Sequence, residues 1–330
     1  MKSLKIALLS LLGISACAES ELEPVTTNET AAQSSATVDL TLPALERRLS
    51  DSVKHLAETI GERNLAHPQQ LQASADWIVD QWQLQGLEPQ IHTYSINGKP
   101  CHNIDVTVSQ AKPEPVVIIG AHYDSVAGTP GADDNASGVA SMLEVSRALA
   151  GMDLDLTVRC VAFVNEEPPY FSTYDMGSFV YADMIHERGD EVAYMISIES
   201  VGFFRDEEGG QKYPPPLDEF YPSVGNFIGV VGDLKNGMGV GRISKLMKAS
   251  GDLAIESAVL PGSIPGVDWS DHASFWHYDY PGVMVTDTAP FRNPNYHEDT
   301  DTLSTLDFSR HAQFTAAFIE TVKGLATTSI

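Results

Sequence analysis

Three short apolar runs constrain this chain more than any other feature. "VVIIGA" (116–121), "CVAFV" (160–164) and "AYMISI" (193–198) are apolar nearly throughout rather than at alternate positions. A strand with one wet face alternates, whereas a strand apolar at every position is covered on both faces. Covered strands of this kind are linked by crossover helices that lie on the sheet. "ASGVASMLEVSRALA" is amphipathic and separates the first two runs, and residues 175–188 read as a helix between the second and third.

The flanks fit the same plan. Apolar positions Leu45, Leu49, Val53, Leu56 and Ile60 recur at helical spacing, and residues 70–85 read as a second helix with Gly86 as its stop. "PQIHTYSI" and "HNIDVTV" alternate around the turn "NGKP", as a hairpin does. Residues 239–250 read as a helix, "GVMVTD" as a late strand and residues 307–326 as a final helix. The expected fold is α/β, a three-layer sandwich with a central mixed, mostly parallel sheet flanked by helices. Two long stretches, 203–226 and 260–276, read as loops, and loops of that length in a compact domain are usually functional.

Residues 1–16 have two lysines, an apolar stretch and small residues, the outline of a secretory signal peptide. The "ISAC" ending resembles a bacterial lipobox, which would make Cys17 a lipidated first residue; the plainer alternative is cleavage near Ala18. Residues 17–40 then read as a lipidated cysteine with a polar tether, and 41–330 as one catalytic domain. The expected location is the bacterial cell envelope, as an exported, membrane-anchored lipoprotein. The formal net charge is −25, and Lys2 and Lys5 belong to the leader, so the exported chain is more acidic still. That charge repels nucleic acid and anionic lipid. Cys101 and Cys160 would either pair or remain buried thiols, and their spacing does not decide.

The polar residues of interest follow the apolar runs. His122 and Asp124 come after the first, Glu166 and Glu167 after the second, and Glu199 ends the third. Taken singly, each has an ordinary explanation: H-x-D is common at strand ends, and Asp133 or Asn135 in "GADDN" could cap the helix that follows. Taken together they do not, because buried strands rarely end in unpaired carboxylates unless a cation compensates them.

As a set, "AHYDS", "PGADDNASGVA", "VNEE", "DMGS", "SDHASFW" and "NPNYHEDTDT" resemble the co-catalytic zinc aminopeptidase family over roughly residues 45–326. Secreted bacterial leucyl-type aminopeptidases belong to that family, and glutamate carboxypeptidases and glutaminyl cyclases are relatives. The resemblance implies two zinc ions. His122 and Glu199 would hold one, Glu167 and His297 the other, and Asp134 would bridge both. It implies that Asp124 orients His122, that Glu166 is the general base, that Tyr296 steadies the oxyanion, and that Asp271 and His272 lie by the substrate. It also implies a cis Asp134–Asn135 peptide bond. One departure is Glu199, where the family more usually has aspartate. The second nitrogen of His297 would be held by Glu298, Asp299 or Asp301. Trp269, Phe275 and Trp276 could wall a side-chain pocket, and loop 203–226 would set access. The remaining histidines, His55, His67, His92, His102, His186, His277 and His311, read as surface or packing residues. The expected partner is a peptide with a free N-terminus. Two alternatives are a glutaminyl-peptide cyclase and a non-catalytic receptor-like domain on the same fold.

Overall fold

The computed structural model describes residues 38–109 and 115–327. The expected leader, Cys17 and most of the expected tether lie outside the described residues. Within them, no helix is long and apolar enough to cross a membrane.

Eight strands form one mixed sheet: β1 Gln90–Ile96, β2 Lys99–Ser109, β3 Val116–His122, β4 Thr157–Phe163, β5 Val192–Glu199, β6 Phe227–Gly232, β7 Ala254–Val259 and β8 Gly282–Thr286. Their order across the sheet is β1-β2-β4-β3-β5-β8-β6-β7. The central strands β4, β3, β5 and β8 run parallel, as their continuous apolar character predicts. The hairpin β1–β2 pairs antiparallel and joins β4 antiparallel, and β6 lies antiparallel to β8.

The helices are α1 Leu42–Lys54, α2 Pro68–Leu84, α3 Gly138–Leu149, α4 Gly177–Arg188, α5 Gly237–Ser250, α6 His272–Trp276 and α7 Phe308–Ala326. Leu45, Leu49, Val53 and Leu56 are all buried, so the expected stripe is the packing face of α1 and the π-helical turn that continues it. Gly86, at φ 79°, stands just past the end of α2, where a residue with a Cβ would be strained. β3 shows how the two faces are covered. Val117, Ile119 and Ala121 enter a large core beneath α1, α2, α3 and α7, while Val116 and Ile118 enter a smaller one with Tyr181, Ile185 and Phe275.

Two features differ from the sequence reading, and a third settles an alternative it left open. β6 and β7 were not expected, and they widen the sheet beyond β8. The stretch 260–276 is not all loop, because α6 closes it and Phe275 is wholly buried. Cys101 and Cys160 are both free and buried.

Candidate active site

β3 is followed in the chain by β4 on one side of it in the sheet and then by β5 on the other. The chain therefore reverses its direction of winding at β3, and a crevice opens at the carboxyl ends of the strands on either side. Four of the five expected ligands reach that crevice from the ends of β3, β4 and β5 and from the turn before α3. The fifth, His297, comes from the segment before α7.

The geometry is compact. His122 Nε2 lies 3.1 Å from Asp134 Oδ1, 3.4 Å from Glu199 Oε2 and 3.9 Å from Glu166 Oε2. His297 Nε2 lies 3.2 Å from Asp134 Oδ2 and 3.2 Å from Glu167 Oε2. Asp134 thus turns one oxygen to each imidazole. The cluster resolves into His122, Asp134 and Glu199 on one side and Asp134, Glu167 and His297 on the other, with donor atoms within 4.8 Å of one another in each group. Glu166 joins His122 and Glu167 in a third such group.

The residues fit a divalent metal. The Nε2 atoms of both histidines are buried without a well-angled hydrogen bond. Two imidazoles and three carboxylates converging from separate elements are a donor set that zinc takes. Burial pushes the carboxyl of Glu167 up to about 8, with Asp134 adding to the rise, and it pushes Glu166 well above the carboxylate range. Burial acts on Asp134 as well, but its contacts with His122 and His297 outweigh it and hold Asp134 low. Burial opposes a charge on His297, yet Asp134 and Glu167 outweigh it and lift the imidazole to about 10.

Backbone and second-layer contacts fix these side chains. The amides of Glu166 and Glu167 donate to Asp124 Oδ1 and Oδ2 at 3.2 and 3.1 Å, so one carboxylate clamps the whole turn after β4. Asp124 also lies 3.5 Å from His122 Nδ1. Asn165, Ser200 and His297 all have positive φ, a conformation that is uncommon without glycine, and each is in or next to the cluster. The Asp134–Asn135 peptide bond is cis, as the resemblance implies. The Asn135 side chain donates to the Ile198 carbonyl (2.8 Å) and accepts from the amides of Gly138 and Ser200 (3.1 Å each). Gly138 leaves room for it, since a Cβ there would strike the Asn135 amide.

Several supports were not read from the sequence. Buried Arg63 donates to the carbonyls of Tyr123, Pro130 and Gly131 and so ties the end of β3 to the loop that carries Asp134. Asp301 does not hold His297; its two oxygens accept from the amides of Asp133 and Asp134 at 2.9 and 3.1 Å. Ser270 hydrogen-bonds the cluster, donating to Glu199 Oε2 at 2.7 Å, while the buried carboxylate of Asp271 acts on Glu166 through its charge alone. The local signal for Ser270 was present in "SDHASFW", but nothing in it separates the serine from the acid beside it.

Asp271 and His272 are both fully buried, and neither lines the cleft next to the cluster. His272 Nε2 pairs with the Val267 carbonyl at 2.9 Å and the ring stands edge-on to Trp276, while burial pulls its imidazole down to about 4. Burial lifts Asp271 to about 7. Tyr296 stacks on His297 with ring centroids 3.9 Å apart and faces the cleft; burial and then the cluster's carboxylates keep its hydroxyl protonated. The cleft has room for water-sized centres over about 100 Å³. Trp269 lines it, as do Tyr213 and Tyr221 from loop 203–226, but Phe275 is core and Trp276 bonds the Gly282 carbonyl away from it.

Known proteins share this chain's pattern. YfbL of Escherichia coli K12, an uncharacterised protein, is 37% identical over 279 residues, covering 82% of this chain and 85% of its own. Leucine aminopeptidase 1 of Trichophyton rubrum is 28% identical over 237 residues, 66% of this chain, which spans only 57% of that fungal protein's length. The solved structure of BSAP, a zinc aminopeptidase from Bacillus subtilis, superposes with a TM-score of 0.66 over 86% of this chain and 95% of its own; at 15% identity that likeness shows the fold. Residues 103–322 match Peptidase family M28, and that stretch runs from β2 into α7 and carries the whole polar cluster. With the sheet, the cluster and the matched span in agreement, this chain belongs to peptidase family M28 and is a peptide hydrolase.

Proposed function

We propose that the chain is a di-zinc aminopeptidase that removes the N-terminal residue of a peptide. The observation that carries this reading is Asp134, whose two oxygens face two separate histidine–carboxylate groups. In this reading His122 and Glu199 hold one ion, Glu167 and His297 the other, and Asp134 both. Glutamate at 199 is one methylene longer than aspartate but offers the same hard oxygen, and Ser270 fixes which way it points. Zinc bound there supplies Lewis-acid polarisation of a carbonyl and a water of lowered pKa.

Glu166 is the general base. Its carboxylate stands beyond the closest ligand contacts, 3.9 Å from His122 Nε2, while its backbone is held by Asp124. It takes the proton from the attacking water and returns it to the departing amine. Tyr296, stacked on His297 and kept protonated, donates to the oxygen that gains charge. The buried carboxylates of the cluster favour the ammonium group of a free N-terminus. Asp124 positions rather than reacts.

The decisive assay counts zinc in the purified chain and follows amino-acid release from matched free and N-acetylated peptides. About two zinc equivalents per chain are expected from a shared-carboxylate site, with release from the free peptides only. Equal cleavage of acetylated peptides would overturn the exopeptidase reading, and cyclisation of glutaminyl peptides without hydrolysis would turn it towards a cyclase. The proposal extends to location, with Cys17 as the lipid anchor of an exported envelope protein. Incorporation of labelled fatty acid that vanishes in Cys17→Ser would support it, and unchanged incorporation would refute it.

A further inference from the structure

The cleft beside the cluster has one feature that peptide hydrolysis does not require. Its floor is the outer face of β8, β6 and β7, and strand register arranges that floor in rows. Glu199 pairs with Thr286, Thr286 with Gly229, and Gly229 with Glu256. Paired residues point to the same face of a sheet. Glu199 and Glu256 therefore stand at the two ends of a single row, three strand spacings or about 14 Å apart at the backbone. Between them lie only a threonine and a glycine, so the row is an open trough. Tyr213, Tyr221, Trp269 and Phe291 rise along its sides, with Trp269 stacked near Phe291 (6.1 Å, 18°) and Tyr213 near Tyr221 (5.6 Å, 30°).

Glu199 and Glu256 are the charged side chains among those that line the trough. Glu199 belongs to the cluster and is hydrogen-bonded by Ser270. Glu256 is half-buried, and among the described residues its carboxylate forms no ion pair and no side-chain hydrogen bond. A carboxylate set in an apolar, aromatic-walled trough without a partner is costly unless a ligand brings the compensating charge. Aromatic faces beside it add attraction for a cation, and for a flat guanidinium in particular.

We propose that Glu256 selects substrates whose N-terminal residue has a long cationic side chain, arginine or lysine. This deepens the aminopeptidase reading and rests on it. With the α-amine and scissile carbonyl held at the Glu199 end, an aliphatic stem lies along Thr286 and Gly229 between the aromatic walls, and the charged head meets Glu256. A leucine side chain is too short to cross the row and leaves the carboxylate unpaired.

The test compares the zinc-loaded full chain with Glu256→Gln, which keeps the shape and removes the charge. In the wild type, kcat/KM for arginyl- and lysyl-amidomethylcoumarin should exceed that for the leucyl compound by about tenfold or more, the usual worth of a charge-assisted hydrogen bond. Glu256→Gln should remove that advantage, mostly through KM, and leave the leucyl substrate within about twofold. Calorimetric titration with L-argininol and L-leucinol, which cannot be cleaved, reads the trough without turnover. Argininol should bind the wild type about tenfold tighter than leucinol and lose that margin in Glu256→Gln. Equal binding of the two alcohols, or equal weakening of both by the substitution, overturns the proposal whatever the turnover. An intact argininol preference with no cleavage of any aminoacyl substrate would leave Glu256 in its role and break the aminopeptidase reading instead.

Discussion

The crevice at the ends of β3, β4 and β5 and the trough over β8, β6 and β7 share a wall at Glu199, yet they are built in opposite ways. In the crevice the side chains that position the cluster are held in turn: Asp124 by two amides, Asn135 by three partners and Glu199 by Ser270. In the trough the walls are aromatic side chains from two long loops and from the turn after β8, the floor has a glycine in its middle, and the one charged group of its own stands alone. A network in which each group orients the next cannot lose a member without losing geometry. A wall of separate side chains can lose one and keep its shape. Substitutions in the crevice should therefore strike all substrates alike, while those in the trough should sort substrates.

The largest effect is expected from Asp134→Ala, which serves both halves of the cluster. Bound zinc should fall from about two equivalents towards none, with activity at background for every substrate. Retention of one full equivalent by elemental analysis would show that Asp134 does not bridge. His297→Ala should lower zinc towards one equivalent and abolish hydrolysis, again without regard to the N-terminal residue. Glu166→Gln should keep both metals and lose at least ~10²-fold in kcat, the usual contribution of a general base. Near-normal turnover in a zinc-replete mutant would remove Glu166 from that role.

His272 sharpens the boundary between the two regions. It is wholly buried, is not among the residues that line the cleft, and is bonded to the carbonyl of Val267 in the cleft wall. His272→Ala should leave zinc stoichiometry and KM unchanged and cost roughly 1–3 kcal/mol of stability, read from urea denaturation. It also carries a pH signature. Burial holds its imidazole at about 4, against an ordinary 6.5, so below 6.5 the unfolded chain binds the extra proton. Its contribution is present in full above 6.5 and shrinks as pH falls towards 4. The stability difference between wild type and His272→Ala should narrow over that interval, and a constant difference would contradict the buried neutral ring. Smallest of all, Trp269→Ala in the trough wall should raise KM a few-fold with kcat and zinc content intact, within the range of an aromatic contact. A matching loss in kcat would mean that the two regions are less separable than their construction implies.

The crevice was far more legible in the sequence than the trough. Its ligands stand at the ends of apolar runs, and a run ending in paired acids is conspicuous because burial makes it expensive. Glu166, Glu167, Glu199 and His122 were visible for that reason. β6 and β7 were not, since "FIGVVG" and "AIESAV" are short, contain residues that suit turns or helices, and become strands by pairing with β8 and with each other. Arg63 and Asp301 carried no local signal because their partners are 60 and 168 residues away. The burial of His272 was hidden for a related reason: "SDHASFW" looks like an exposed loop until α6 packs Phe275 into the smaller core.

Asp301 takes on a further meaning when the chain is considered in time. Its carboxylate fastens the amides of Asp133 and Asp134, and His297 closes on the same aspartate from four residues earlier. Contacts spanning that much of the sequence are among the last that a folding domain secures. A chain emerging from synthesis has His122, Asp134, Glu166, Glu167 and Glu199 long before it has either residue. The cluster is thus incomplete until nearly all of the domain is in place, so binding at it reports on the whole fold rather than on the half that carries most of its members.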